Sequence, residues 1–389
     1  MKVFSLDAVK SRIQIGRPLP FGVRSADRVL LLATGQVIHT EAQLEELFDR
    51  GAVVEAAELH ALYGPDDPLF APPPEAAPTA ASLPAARLPE VWKACHTRVA
   101  DALAPVCADR RGALTQAAHE IVRLLDRADA VAMSQVVRQF AGADTHYGVT
   151  HATNSAIASV VTARRMGWSA GEQQRALGAA LTMNLSMIEL QGRLADQVSP
   201  LTARQRQTID EHPVQSAELL AQAGIDDHEW LDAVREHHET PDGAGYPLGL
   251  TQLGELGQLL RYADIYTALM SRRGKRRAMS PREAGREIYD MTSGSPLCQT
   301  VIKAFGIFPP GSYVRLASGE LGVVTTNGDK AYHPRVAVLT TADGLARRAM
   351  VIRDTADPRH HIASLLSEAA MPMRVGADVL AVLIDTANA

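Results

Sequence analysis

Only 3 of the 389 residues are cysteine. Cys95, Cys107 and Cys298 are widely scattered and show no C-x-x-C spacing. They therefore define neither a disulfide framework nor a thiolate metal site, and read as free thiols in a reducing cytoplasm. Aromatic residues are also scarce, at 5%, which leaves alanine-rich and aliphatic helices to build the core. Charge of one sign is not in excess: the formal net charge is −5, so neither duplex nucleic acid nor a membrane surface is indicated as main partner. No segment approaches the roughly 20 apolar residues of a membrane span. The opening Met1-Lys2-Val3-Phe4-Ser5 lacks the apolar run of a signal peptide. No internal repeat is visible.

What is present suggests two or three domains. Residues 1–64 read as a small α/β module. Val29–Leu32 and Gln36–Ile38 are short strands, and Thr40 with Gln43 caps a helix that Gly51 ends. From Pro65 to Pro89 prolines alternate with alanines, a composition suited to an extended linker. From about Leu88 to Phe305 the pattern is helical. Ile121, Leu124, Leu125 and Ala128, then Ala132, Val136 and Phe140, form apolar stripes; these helices either pack on the bundle or pair two subunits as a homodimer. Gly167, Gly192 and Gly224 mark expected helix ends. After Phe308 the period becomes two. Tyr313–Leu316, Leu321–Thr325 and Arg335–Leu339 read as strands, with turns at Ser318-Gly319, Asn327-Gly328 and Asp343-Gly344. The expected C-terminal module, residues 309–389, is a β-meander closed by a short helix around Asp378–Asp385.

One stretch organises the rest: His237-His238-Glu239-Thr240-Pro241-Asp242-Gly243-Ala244-Gly245-Tyr246-Pro247. At a frayed helix end two adjacent imidazoles can splay toward cations, and the glycines admit backbone angles and close approaches other residues avoid. The string closely resembles HHExxDGxGYP, the signature of HD-GYP domains, a branch of the HD phosphohydrolases that hydrolyse cyclic di-GMP. The resemblance covers roughly residues 88–308 and implies a mostly α helical bundle flanked by the two small modules. It also implies a metal centre of iron or manganese between helices. His151, His212, His237, His238 and Asp264 match the family's ligand positions. Asp264 follows Leu256 and Leu260 on an apolar face, where an unpaired carboxylate would be costly.

The family's HD dyad has no match. In Leu181-Thr182-Met183-Asn184-Leu185-Ser186-Met187, Met183 stands at the histidine, Asn184 at the aspartate and Met187 at the lysine. Tyr147 takes the position of the third-metal glutamate found in some members. Five donors suit one iron, manganese or zinc ion. Two ions about 3.5–4 Å apart need an anionic bridge, and Asn184 is neutral. By the same resemblance Gly243, Gly245, Tyr246 and Pro247 belong to the cyclic di-GMP pocket wall. Arg273, Arg276 and Arg277, in a basic cluster with Arg272 and Lys275, lie where relatives hold substrate. A solvated basic loop and a docking surface for an acidic protein are alternative uses of that cluster. The expectation is a regulatory HD-GYP protein of bacterial cyclic di-GMP signalling, impaired in hydrolysis, that binds ligand or partner. The alternatives are a working phosphodiesterase with a remodelled site and a scaffold docking on a diguanylate cyclase.

Overall fold

The computed structural model describes residues 3–25, 28–64, 83–139, 146–274 and 276–388. Residues 65–82 of the expected linker, Phe140 and Lys275 lie outside them. The chain divides into two units, residues 1–79 and 80–389.

In the first unit β1 (Val3–Ser5), β2 (Val23–Arg24), β3 (Leu30–Leu32) and β4 (Val53–Glu55) form an antiparallel sheet in the order β1-β4-β2-β3. Helix α1 (Glu41–Asp49) starts where Thr40 accepts a hydrogen bond from the Gln43 amide, and the chain turns out at Gly51 with φ 64°. Helix α2 (Ala56–Tyr63) follows. The expected strand at Gln36–Ile38 reduces to a single bridge between Pro18 and Val37, since Pro18 offers no N–H to extend a ladder. Ile38 still contributes to a core with Leu6, Phe21 and Val54.

The second unit joins the helical bundle and the C-terminal strands through one continuous core. Its helices are α3 (Leu88–Leu103), α4 (Arg110–Arg138, kinked at Ala128), α5 (Tyr147–Met166), α6 (Ala170–Thr182), α7 (Ile188–Asp196), α8 (Ala203–Gln222), α9 (His228–Glu236), α10 (Glu255–Met270), α11 (Pro281–Met291) and α12 (Pro296–Phe305). Helix α3 begins inside the stretch assigned to the linker, with Pro89 in its first turn, where a missing N–H costs nothing. Every residue of α5 from Gly148 to Ala163 is buried. Its alanines, serines, threonines and valines let neighbours approach on all sides, as a central helix requires. Gly167 and Gly224 close helices with φ 77° and 83°. Gly192 instead lies within α7, where a Cβ would fall 2.2 Å from His146 Nε2. Close packing, rather than helix termination, asks for that glycine.

The C-terminal sheet has five strands: β5 (Tyr313–Leu316), β6 (Leu321–Thr326), β7 (Arg335–Thr340), β8 (Ala346–Asp354) and β9 (Ile362–Leu366), in the antiparallel order β8-β7-β6-β5-β9. Strand β9 returns beside β5, so the sheet extends past the expected meander. Glu320, nearly buried, ties the sheet by accepting hydrogen bonds from Arg347, Arg353 and Ser318; these donors hold its carboxyl at about 2, against the opposing effect of burial. Helix α13 (Ala377–Asn388) is longer than expected and buries Leu380, Ala381 and Ile384 in the core shared with α3 and α4. Arg127 Nη1 on α4 reaches Asp385 at 2.8 Å.

Candidate metal centre

His212 sits mid-way along α8, with Pro213 next to it. Pro213 lies inside this 20-residue helix, where a proline is unusual. Proline has no N–H to give the carbonyl four residues back, which is that of Ile209. His212 Nδ1 takes up that carbonyl at 2.5 Å. His237, the residue closing α9, does the same with the Val234 carbonyl at 2.7 Å. A nitrogen facing a carbonyl must carry the proton, so geometry assigns both rings the Nδ1–H tautomer. Both Nε2 atoms are then bare acceptors, and they face one another at 3.2 Å. Two lone pairs at that distance repel unless a cation lies between them. Histidine ligands commonly have the opposite nitrogen fixed in this way.

His238 completes the set: ligand atoms of His212, His237 and His238 lie within 4.8 Å of one another. Burial, reinforced by the His237 charge, pushes His212 down to about 3. Burial likewise lowers His237 and His238. All three imidazoles are therefore neutral at physiological pH, the form that binds metal.

His151 and Asp264 form a second group. His151 Nε2 meets Asp264 Oδ1 at 2.6 Å, and the histidine side chain is fully buried. Burial alone would raise the Asp264 carboxyl. The His151 hydrogen bond and the fields of His151, His238 and His237 outweigh it and hold the group below the ordinary carboxylate range. The five expected ligands are thus two sets, a triad and a pair, coupled through the electrostatic contact of Asp264 with His237 and His238.

The glycine loop grips the triad from behind. Tyr246 stacks on the His238 ring, centroids 4.6 Å apart at 19°, and its amide reaches the His238 carbonyl at 3.3 Å. A Cβ on Gly245 would stand 2.4 Å from Glu239 Cα and 2.5 Å from the Thr240 nitrogen, so only glycine fits. Glu239 is fully buried and accepts the amides of Leu248, Gly249 and Leu250 at 2.6, 3.2 and 3.1 Å. This carboxylate folds the segment after Pro247 back beneath the histidines. Sequence reasoning gave Glu239 no role, although an acid beside three glycines was the available signal.

Helix α6 stops at Thr182, so Met183 and Asn184 lie just beyond its end, before a 3-10 turn at Leu185–Met187. Met183 is fully buried and Asn184 nearly so. Both polar atoms of the Asn184 carboxamide are without a hydrogen-bond partner among the described residues. The same turn is tied to α8: Ser186 Oγ donates to the His212 carbonyl at 3.1 Å, and the Ser186 amide to Ser216 Oγ at 3.1 Å. A neutral amide, unlike a carboxylate, brings a donor edge as well as an acceptor. The three histidines fit a metal ion.

The predicted arginines have intramolecular partners. Arg273 donates to the Tyr147 hydroxyl through Nε at 2.7 Å and also through Nη2, and its guanidinium lies over the ring. Tyr147 in turn stacks on His151 at 5.6 Å. Arg276 Nη2 donates to the Ala268 carbonyl at 2.5 Å, and Arg277 pairs with Glu283 at 2.7 Å. No contact joins these arginines to Gly243, Gly245, Tyr246 or Pro247 among the described residues.

The family model for the HD domain matches residues 135–294. A cyclic di-GMP phosphodiesterase of Pseudomonas aeruginosa is 30% identical over 169 residues, 42% of this chain and 41% of that protein. The chain thus spans about two-fifths of that curated relative. A solved HDG"Y"P protein from Bdellovibrio bacteriovorus aligns over 77% of this chain and 97% of its own, with 15% identity and a TM-score of 0.46. Residues 135–294 thus match the HD domain, and the histidines gathered above lie within that segment. The complete His237–Pro247 string inside it is of the HD-GYP kind. Among the described residues no helix is long and apolar enough to cross a membrane.

Proposed function

We propose that this HD-GYP domain serves cyclic di-GMP signalling as a binding and regulatory module that holds one transition-metal ion and hydrolyses its ligand poorly or not at all. The observation that carries the reading is the facing of two bare Nε2 atoms at 3.2 Å, His212 to His237, beside a turn whose Asn184 carboxamide has no hydrogen-bond partner among the described residues. His212, His237 and His238 would hold the ion, with Asp264 supplying nearby negative charge. A bound ion of this kind supplies Lewis-acid charge to a phosphate oxygen. Asn184 stays neutral at every accessible pH, so it neither bridges two cations nor takes a proton from an attacking water. Met187, largely buried, offers no charge to a substrate phosphate. Gly243, Gly245, Tyr246 and Pro247 are proposed to set one wall of the ligand site, with Arg273, Arg276 and Arg277 as candidate phosphate contacts once freed from their present partners.

The test is elemental analysis of anaerobically purified protein, run with assays of cyclic di-GMP binding and hydrolysis. The expected result is at most one iron, manganese or zinc per chain, with binding and no turnover. Two tightly held ions with steady production of linear dinucleotide would overturn it and leave the remodelled phosphodiesterase in its place.

A further inference from the structure

The arginines after α10 are held in different ways. Arg277 pairs with the Glu283 carboxylate, whereas Arg273 has no carboxylate partner among the described residues. A neutral side chain holds it instead. Arg273 donates to the Tyr147 hydroxyl from Nε at 2.7 Å and from Nη2 as well. Its guanidinium carbon lies 4.8 Å from the centre of the Tyr147 ring, within cation–π range.

The phenol is fixed before any ligand arrives. Tyr147 opens α5, and its ring stacks on His151 at 5.6 Å with the planes 8° apart. His151 is itself held by Asp264 at 2.6 Å. Burial raises the Tyr147 hydroxyl above the usual phenol range, so it is a neutral acceptor. The backbone carrying Arg273 is equally fixed. The Gly274 amide donates to the Ala195 carbonyl at 2.6 Å, and the Arg276 amide to the Arg273 carbonyl at 2.7 Å. A Cβ on Gly274 would stand 2.8 Å from the Gln197 carbonyl oxygen, so the turn is seated closely against the end of α7. Release of the guanidinium is therefore a movement of one side chain. The Nε–Nη2 edge that Tyr147 occupies is one that forks a phosphate. A phosphate offers that edge two charged oxygens, where the phenol offers one neutral oxygen.

We propose that Tyr147 is a positioning residue that latches Arg273 beside the metal centre: a ligand phosphate gains the Nε–Nη2 edge only as the guanidinium leaves the hydroxyl. The inference rests on the reading of Arg273 as a phosphate contact. Apparent affinity is reduced by the fraction of molecules that remain latched, so breaking the latch strengthens binding. The test is calorimetry of cyclic di-GMP on the full chain and its variants, with thermal melts to confirm folding. Tyr147→Phe keeps the ring and removes the acceptor, and should bind about tenfold more tightly than the parent. Tyr147→Met removes the hydroxyl through a different side chain and should also bind more tightly. Adding Arg273→Ala to Tyr147→Phe should abolish the gain. A tyrosine that merely supports the fold would instead give weaker or unchanged binding when replaced. Should the parent bind while neither Tyr147 variant binds more tightly, the latch is overturned and the ligand-binding reading stands. A gain that survives Arg273→Ala also overturns the latch, because Tyr147 then acts through another group. No binding by the parent or by either Tyr147 variant overturns both the latch and the reading beneath it.

Discussion

The His212–His237 pair and the Met183–Met187 turn meet on one segment of α8, where Ser186 bonds the His212 carbonyl. They are finished to opposite standards. On the histidine side His212 and His237 have their tautomers set by helix carbonyls, and the loop behind is locked by Glu239 through three amides. On the other side a buried carboxamide has neither donor nor acceptor satisfied among the described residues, between methionines that offer only a soft thioether. Buried polar groups are nearly always paired. The contrast teaches that the turn keeps its place on α8 through Ser186 whether or not the side chains beside it are satisfied. Each half can be perturbed without the other.

Acid should break the histidine half first. The folded pKa of His212 is depressed to about 3, and those of His237 and His238 are also lowered, whereas the unfolded chain titrates near 6.5. A histidine depressed on folding gives full stability above the unfolded value. As pH falls below it, the unfolded chain binds protons that the native state refuses. Chelated protein should therefore lose roughly 2 kcal/mol through His212 between about pH 7 and pH 5, with His237 and His238 adding loss in the same direction. Denaturant unfolding at those two pH values measures it, and Asn184→Leu should show the same slope. A flat profile would mean that the imidazoles are not buried neutral.

The amide half should respond to Asn184→Asp, with opposite signs in two states. Without metal, a carboxylate at this buried position lacks a counter-charge and should cost about 3 kcal/mol. With manganese or iron present it becomes the missing anionic bridge, and the protein should bind a second ion and melt higher than the parent. Thermal melts with and without metal read both changes. If the variant is destabilised equally in both, the turn has closed around Met183 and no vacated metal position exists there.

Much of this was legible in residue order. The His237–Pro247 string carries its own loop chemistry, and the strands after Phe308 follow period two. What was not legible depends on contacts distant in sequence. Gly192 looks like a helix end because only the packed His146 ring explains it. Strand β9 was missed because its partner β5 lies some fifty residues earlier, and register of that kind is fixed by tertiary pairing. The intramolecular partners of the arginines, Tyr147, Ala268 and Glu283, are likewise set by folding and not by residue order. Pro213 is the most instructive case: inside a helix a proline costs a hydrogen bond, yet its missing N–H leaves the Ile209 carbonyl to His212.

That last point carries the smallest predicted effect. Pro213→Ala returns an N–H to α8, and the natural acceptor is the Ile209 carbonyl now taken by His212 Nδ1 at 2.5 Å. A carbonyl has two lone pairs, so the imidazole bond would be shared and lengthened rather than lost. The helix gains a bond and a better helix former, so the chelated protein should be more stable than the parent. The imidazole loses its fixed orientation, and partners of this kind typically contribute about 10–100-fold to metal affinity; the lower end, about tenfold, is expected here. Stability and affinity therefore move in opposite directions, a combination that general damage to the fold would not produce. Metal titration beside denaturant unfolding reads both. Should the variant bind metal as tightly as the parent, the proline is a packing residue and the His212 tautomer is set elsewhere.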